Sequence, residues 1–464
     1  MGVKRKDISM TSCTRCVMVV VCFAFFAAVP AASSGEIRIV DGVFVDGYIR
    51  PRLEIDDRDF DRSTGPDSYT TLRTRLGFRV TDIIPDTTFY ILLADSRTMG
   101  YSDPYLEGEN IGPNQRDADL GVNQAWLFID NLGADGVYLK VGRMENNQGR
   151  NRLFGPGNWS HNGPRTYDGA KGGYRTGEFQ INIWSLYGLN GDRHWYPDPS
   201  QFPDWKTPDP DIDYKYDHTL NGMDVRAFDE DLQFLFFVDY DQARVTDLTT
   251  GNDNPASVRY TGAVYASWSS ADDWKRDGGV WLAADYAYQF GTVGTVAGEA
   301  DIDAWLAMGD IAVSAGGKFQ PWMGVGADVT SGDGGADRNE VHYFYDFYYS
   351  RHSYRGHMDL FKNPFAEPSL GLQDYIVRAG FKPHKSTSVQ FDAHYFRTEQ
   401  PFVSQDDADE AHELGYELDT TVNIKIREGL SSRIGFDVFW PSDDWKGPHG
   451  DQAHYGYAEI TGTF

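Results

Sequence analysis

Beyond position 22 this 464-residue chain has no cysteine; Cys13, Cys16 and Cys22 all lie near its start. A disulfide framework, a thiol nucleophile and a thiolate metal site are therefore excluded from everything downstream. After residue 29 there is also no apolar run approaching the roughly 20 residues that a membrane-spanning helix needs. Mean hydropathy is negative, so a helical membrane protein is excluded as well. Positive charge is scarce: 42 Lys and Arg stand against 69 Asp and Glu, a formal net charge of -27. A nucleic-acid partner is not expected of such a chain. The 11 histidines show no His-x-x-x-His or Glu-flanked spacing, which argues against a metal hydrolase.

What is present begins with an export signal. Lys4, Arg5 and Lys6 precede an apolar run from Val17 to Val29, and small residues from Ala31 to Gly35 offer a cleavage site. Residues 1–34 are thus expected to be removed, leaving a single domain over 35–464 with no internal linker.

That domain alternates. From Phe44 to Ile55 the even positions are Phe44, Asp46, Tyr48, Arg50, Arg52 and Glu54, while Val45, Ile49, Leu53 and Ile55 fall between them. Successive side chains on a strand face opposite ways, so this segment separates an aqueous side from an apolar one. The pattern recurs in 68–82, 87–95, 119–130, 136–145, 231–241, 387–397 and 413–426, and 301–313 is placed only by elimination. In 231–241, Leu235 and Phe237 break the rule by joining the polar side. Short and long connections alternate; the long ones are 96–118, 189–218, 331–372 and 398–412. An exported chain that crosses a membrane on strands must close, because lipid cannot satisfy a sheet edge. The expected fold is an all-β transmembrane antiparallel barrel of about 18 strands. It would lie in the outer membrane of a Gram-negative bacterium, reached through the periplasm. Aromatics at 14% and 49 glycines suit interfacial girdles and tight turns. Apolar residues at alternate positions before the terminal Phe464 look like the signal read by a barrel-assembly machinery.

Several motifs carry a family resemblance. In order they are Gln124-Ala125-Trp126, Gly142-Arg143-Met144, Arg152-Leu153-Phe154-Gly155, Trp159 and Arg165-Thr166-Tyr167-Asp168-Gly169. Phe347 to Leu360, with His352, Gly356 and Asp359, and Gly415-Tyr416-Glu417-Leu418-Asp419 follow. Together they resemble the alginate export family of outer-membrane porins over almost the whole chain. The resemblance implies a monomeric 18-stranded barrel whose arginine-rich lumen passes a polyanionic polysaccharide.

Strand parity gives the lumen charges independently. Inward bases are Arg50, Arg52, Arg73, Arg75, Arg79, Lys140, Arg378, Lys382, Lys425 and Arg433. Inward acids are Asp46, Glu54, Asp239, Asp241, Asp285, Asp328, Asp392, Glu417, Asp419, Asp437 and Glu459. Bases gather on early strands and acids on later ones, so a basic arc would face an acidic arc. Arg50, Arg52, Arg73, Arg75, Arg152 and Arg165 would steer an anionic solute, with Gln124, Arg143 and Asp168 also lining the pore. The same charges could instead neutralise one another and hold the wall. This near balance departs from the strongly basic lumen that the resemblance implies.

No resident cofactor is expected, although acidic loop segments are weak Ca²⁺ candidates, namely Asp328 with Asp333, and Asp209, Asp211 and Asp213. Two other readings stay open. A lipase-like barrel enzyme would need a Ser/His pair, for which only Ser160-His161 and Ser350 with His352 stand near one another. A secreted carbohydrate-binding β-protein would leave its apolar strand faces bare to water.

Overall fold

The computed structural model describes residues 35–99, 120–156, 159, 165–188, 218–241, 256–295, 298–334, 339–346, 350–361, 370–446 and 450–464. The export signal, Asp209, Asp211, Asp213 and the Ser160-His161 pair lie outside these residues.

The regular structure of the described residues is almost entirely strand. The first strands are β1 (Ile37–Val40), β2 (Val43–Asp57), β3 (Asp67–Thr81), β4 (Thr87–Met99), β5 (Gly121–Ile129) and β6 (Val137–Met144). There follow β7 (Tyr167–Arg175), β8 (Phe179–Gly188), β9 (His218–Ala227), β10 (Leu232–Asp241) and β11 (Ser257–Ser269). Then come β12 (Gly279–Thr295), β13 (Gly298–Ser314), β14 (Trp322–Thr330) and the two-residue β15 (Glu340–Val341). The last are β16 (Leu372–His384), β17 (Thr387–Val403), β18 (Glu410–Arg427), β19 (Leu430–Pro441) and β20 (Ala453–Thr463).

Strands β2–β14 and β16–β20 each pair antiparallel with their neighbours, and β20 returns to pair with β2. The result is a closed barrel of 18 strands, with β1 and β15 as short additions at its two ends. Closure leaves no edge carrying bare N–H and C=O groups to lipid. At the seam, Gly47 and the terminal residue exchange two backbone bonds of 3.0 Å. The Phe464 ring lies over Gly47, where a Cβ would come within 2.8 Å of it, so only glycine fits under this ring.

Alternation decides what each wall face meets. Ile49, Phe78, Ile183, Phe234, Ile311, Val325, Val377 and Phe436 are exposed on the outside. Tyr375, Tyr395, Tyr416 and Trp440 stand in register across β16 to β19 and form part of an outer aromatic girdle. Short turns such as 82–86 and 130–136 gather at one end, and the strand ends that border the longer connections lie at the other. One hairpin breaks this rhythm. β12 and β13, each 17 residues long, stay paired up to Thr295 and Gly298 at the loop end. At about 3.3 Å per residue these strands outrun an apolar band of about 25 Å.

The lumen is not simply aqueous. Segments 145–156, 342–346 and 350–361 fold inward from the loop end and bring their own apolar cores. Phe154 packs against Tyr167, Trp184, Leu186, Leu220, Leu235 and Phe237. Phe344 packs against Ala287, Ile302, Ala304 and Leu306. This explains why Leu235 and Phe237 sit on the polar face and why 301–313 reads ambiguously. Their inward apolar side chains are covered by loops rather than by water.

Candidate functional site: the charged lumen and its two inward loops

The basic arc lies on β2 and β3. Arg50 stands directly across from Arg73, and Tyr48 from Arg75. Arg73 and Arg75 lie 5.7 and 5.0 Å from the Tyr48 ring. Arg52 donates to Glu54 at 2.7 Å, and that carboxylate also accepts from Tyr69 and Tyr455. Glu459 lies 3.8 Å from Arg50 and 4.0 Å from Arg52. Farther toward the turns, Arg79 is taken up by Glu36 and covers the Phe44 ring at 4.3 Å.

The first inward loop meets this arc at Trp159. Its carbonyl accepts from Arg50 at 3.1 Å and from Arg52 at 3.0 Å, while the Arg52 guanidinium lies 4.1 Å from the indole ring. On the other side the indole stacks on His352 of the second loop. Ser350 N–H donates to the Asn151 carbonyl at 3.0 Å, and Tyr354 donates to the Arg150 carbonyl. The two loops thus brace each other across the lumen.

The acidic arc is met by arginines that the loops carry in. Arg150 reaches Asp285 and Asp310, each at 2.7 Å. Arg152 holds Asp328 with two bonds of 2.7 and 2.9 Å and reaches Asp346 at 3.4 Å. Arg355 shares Asp346 at 2.7 Å, and Arg378 of the wall bonds Asp310. Burial opposes the Arg150 cation, but Asp285 and Asp310 outweigh it and hold the guanidinium above its ordinary value. In the second loop, burial pushes His352 below the usual imidazole range. For His357 burial acts the same way, but Asp419 and Asp437 outweigh it and raise the group.

Placement of the remaining sequence candidates is mixed. Gln124 donates to Glu145 at 3.0 Å, and Lys140 lies 4.0 Å over the Trp126 ring, both inside. Arg165 is half-buried, its N–H donating to the Pro156 carbonyl. Arg143 and Asp168, expected in the lumen, are on the outer wall. They follow the parity of exposed Val141 and pair with each other at 2.9 and 3.0 Å across β6 and β7. The motifs that contain them gave no parity, and alternation from Val141 would have. Arg152 is 1% exposed, which makes it a tie between loop and wall rather than a group facing solute. Asp328 is likewise engaged by Arg152, and Asp333 is half-buried. Glu417 accepts from the Met358 N–H at 2.9 Å and Asp419 from the His357 N–H at 2.9 Å. The family-like segments around 347–360 and 415–419 therefore meet in space.

A closed antiparallel barrel with an apolar outer belt, a charged lumen and long loops at one end is the build of a membrane channel. The alginate export family model matches residues 45–458. The chain belongs to the alginate export family. Its solved relatives in shape are outer-membrane porins. OccAB2 of Acinetobacter baumannii shares 12% identity at a TM-score of 0.56, covering 92% of this chain and 99% of that one. A BenF-like porin of Pseudomonas fluorescens Pf-5 shares 12% at 0.55, covering 90% and 98%. Pseudomonas aeruginosa OpdK, solved with vanillate, shares 11% at 0.53, covering 90% and 98%. These likenesses are of fold. No curated protein sequence matches the chain. This alginate export family member is an outer-membrane β-barrel channel.

Proposed function

We propose that this channel passes an anionic, carboxylate-bearing polysaccharide or a smaller anionic solute by passive diffusion, without catalytic chemistry of its own. The observation that carries the reading is the clustering of arginines on one side of the lumen, where Arg50 and Arg52 of β2 stand beside Arg73 and Arg75 of β3. On the other side, Asp285, Asp310 and Asp328 of the wall and Asp346 of the second loop are met by Arg150, Arg152, Arg355 and Arg378. On the basic arc, four arginines on two adjacent strands stand beside Glu54 and Glu459. Guanidinium groups are thus gathered along one side of the lumen. Fixed charge in a narrow aqueous path raises the local concentration of the opposite sign and sets selectivity. The family name supports a uronate polymer, whose repeating carboxylates would pass from one guanidinium to the next.

The setting follows the same reading. The barrel would sit as a monomer in a Gram-negative outer membrane, with its short turns toward the periplasm and Phe464 offered to the assembly machinery.

The test is single-channel recording in a planar bilayer under a salt gradient. Anion preference is expected, with current through the wild type reduced by added oligouronate. Arg73→Glu with Arg75→Glu should shift the reversal potential toward cation preference. An unchanged reversal potential would remove the steering role.

A further inference from the structure

Where the second loop touches the wall, three metal-ligating side chains from three elements converge. His357 comes from the loop, Asp419 from β18 and Asp437 from β19. One ligand atom from each lies within 4.8 Å of the others. His357 Nδ1 is 3.8 Å from Asp419 Oδ2 and 3.8 Å from Asp437 Oδ1. We propose that His357, Asp419 and Asp437 bind a divalent cation of the zinc type, which fastens the inward loop to the barrel wall.

Three observations support this. Asp437 is fully buried, yet neither of its oxygens has a hydrogen-bond partner among the described residues. Asp419 Oδ1 and Glu417 Oε2 beside it, and His357 Nδ1, are in the same condition. Buried carboxylate oxygens are costly without a donor or a cation, and one ligand atom from each of His357, Asp419 and Asp437 lies within 4.8 Å of the others. Second, the spacing is near that of a metal shell. Ligand atoms at about 2.0–2.2 Å from tetrahedral Zn²⁺ stand roughly 3.4 Å apart; the two edges from His357, at 3.8 Å, close with a movement of a few tenths of an ångström, and the Asp419–Asp437 edge lies within 4.8 Å. Third, the donors select the ion. One imidazole with carboxylates suits zinc-type cations, whereas Ca²⁺ and Mg²⁺ take oxygen. A cavity of about 230 Å³, lined by His357, His394 and Asp392, adjoins the cluster and gives an ion a way in.

The loop is already held close here. The His357 and Met358 N–H groups donate to Asp419 and Glu417, and a Cβ at Gly356 would meet Glu417 Oε1 at 2.3 Å. A cation at this point joins loop to wall through three bonds, and its removal frees that end of the loop.

The experiment uses the full-length barrel in detergent, stripped with a chelator and titrated with ZnCl₂ by calorimetry at neutral pH. One equivalent per barrel at micromolar affinity is expected, and CaCl₂ should give no such equivalent. Asp437→Asn and His357→Gln should each weaken it at least tenfold, while Asp406→Asn on an exposed loop should not. Because either site variant could misfold, X-ray absorption on the zinc-loaded wild type gives a second reading, with one imidazole among oxygen ligands expected. Absence of the single equivalent, an affinity unchanged from wild type in both site variants, or an all-oxygen shell would overturn the proposal. The acids would then be compensated by histidine protonation alone.

Discussion

Trp159 lies flat on His352, with ring centroids 3.6 Å apart and planes 4° from parallel. The indole also receives Arg52 on the wall side, so a loop aromatic is held between a cation and an imidazole. Trp159→Ala removes both contacts but keeps the backbone carbonyl that Arg50 and Arg52 use. A loss of about 1–2 kcal/mol in loop docking is expected. In single-channel records it should appear as larger current fluctuations at unchanged ion preference.

The tie from Arg152 to Asp328 should behave as a buried pair. Arg152→Ala strands Asp328 in the interior and should cost about 3–5 kcal/mol. Replacing both, as Arg152→Met with Asp328→Leu, should recover most of that loss. Rates of protease cleavage within 145–166, measured on folded protein, will rank the three proteins. Equal cleavage in single and double variants would show that the pair is not what holds this loop.

Phe154 is the apolar anchor of the same loop, wholly buried among Trp184, Leu186, Leu220 and Phe237. Phe154→Ala should cost about 3–5 kcal/mol and raise mean conductance as the loop leaves the lumen. Hydrogen exchange of the loop amides, against unchanged exchange in β16 to β19, is the check.

Arg143 and Asp168 supply a control. Because they pair on the outer wall, removing both as alanines should leave the reversal potential where it was. The stability cost should stay within about 1 kcal/mol, as for exposed pairs. A shift as large as that from Arg73→Glu with Arg75→Glu would return them to the lumen.

The wall was legible in the sequence because alternation is a local property. Phe44 to Ile55 shows its two faces without reference to any other strand, and Arg50, Arg52 and Glu54 came out inward. What could not be read was contact between segments far apart in the chain. Nothing near Arg152 announces Asp328, 176 residues away. Nothing in the spacing of His357, Asp419 and Asp437 suggests that they meet. The same gap explains 301–313, whose inward apolar residues looked anomalous only because their cover, Phe344, arrives from another loop. Arg143 and Asp168 failed for a different reason. They were placed by motif likeness, which carries no parity, and the neighbouring Val141 held the parity that was needed.

The seam between β2 and β20 has a kinetic side. The bond from Tyr455 to Glu54 joins residues 401 positions apart, so it closes most of the chain into one loop. Contacts of that separation form late and slowly. Until they form, β2 carries an open hydrogen-bonding edge that invites pairing with another chain. The waiting time of the first strand for the last, rather than the stability of the finished wall, then sets the risk of aggregation during biogenesis.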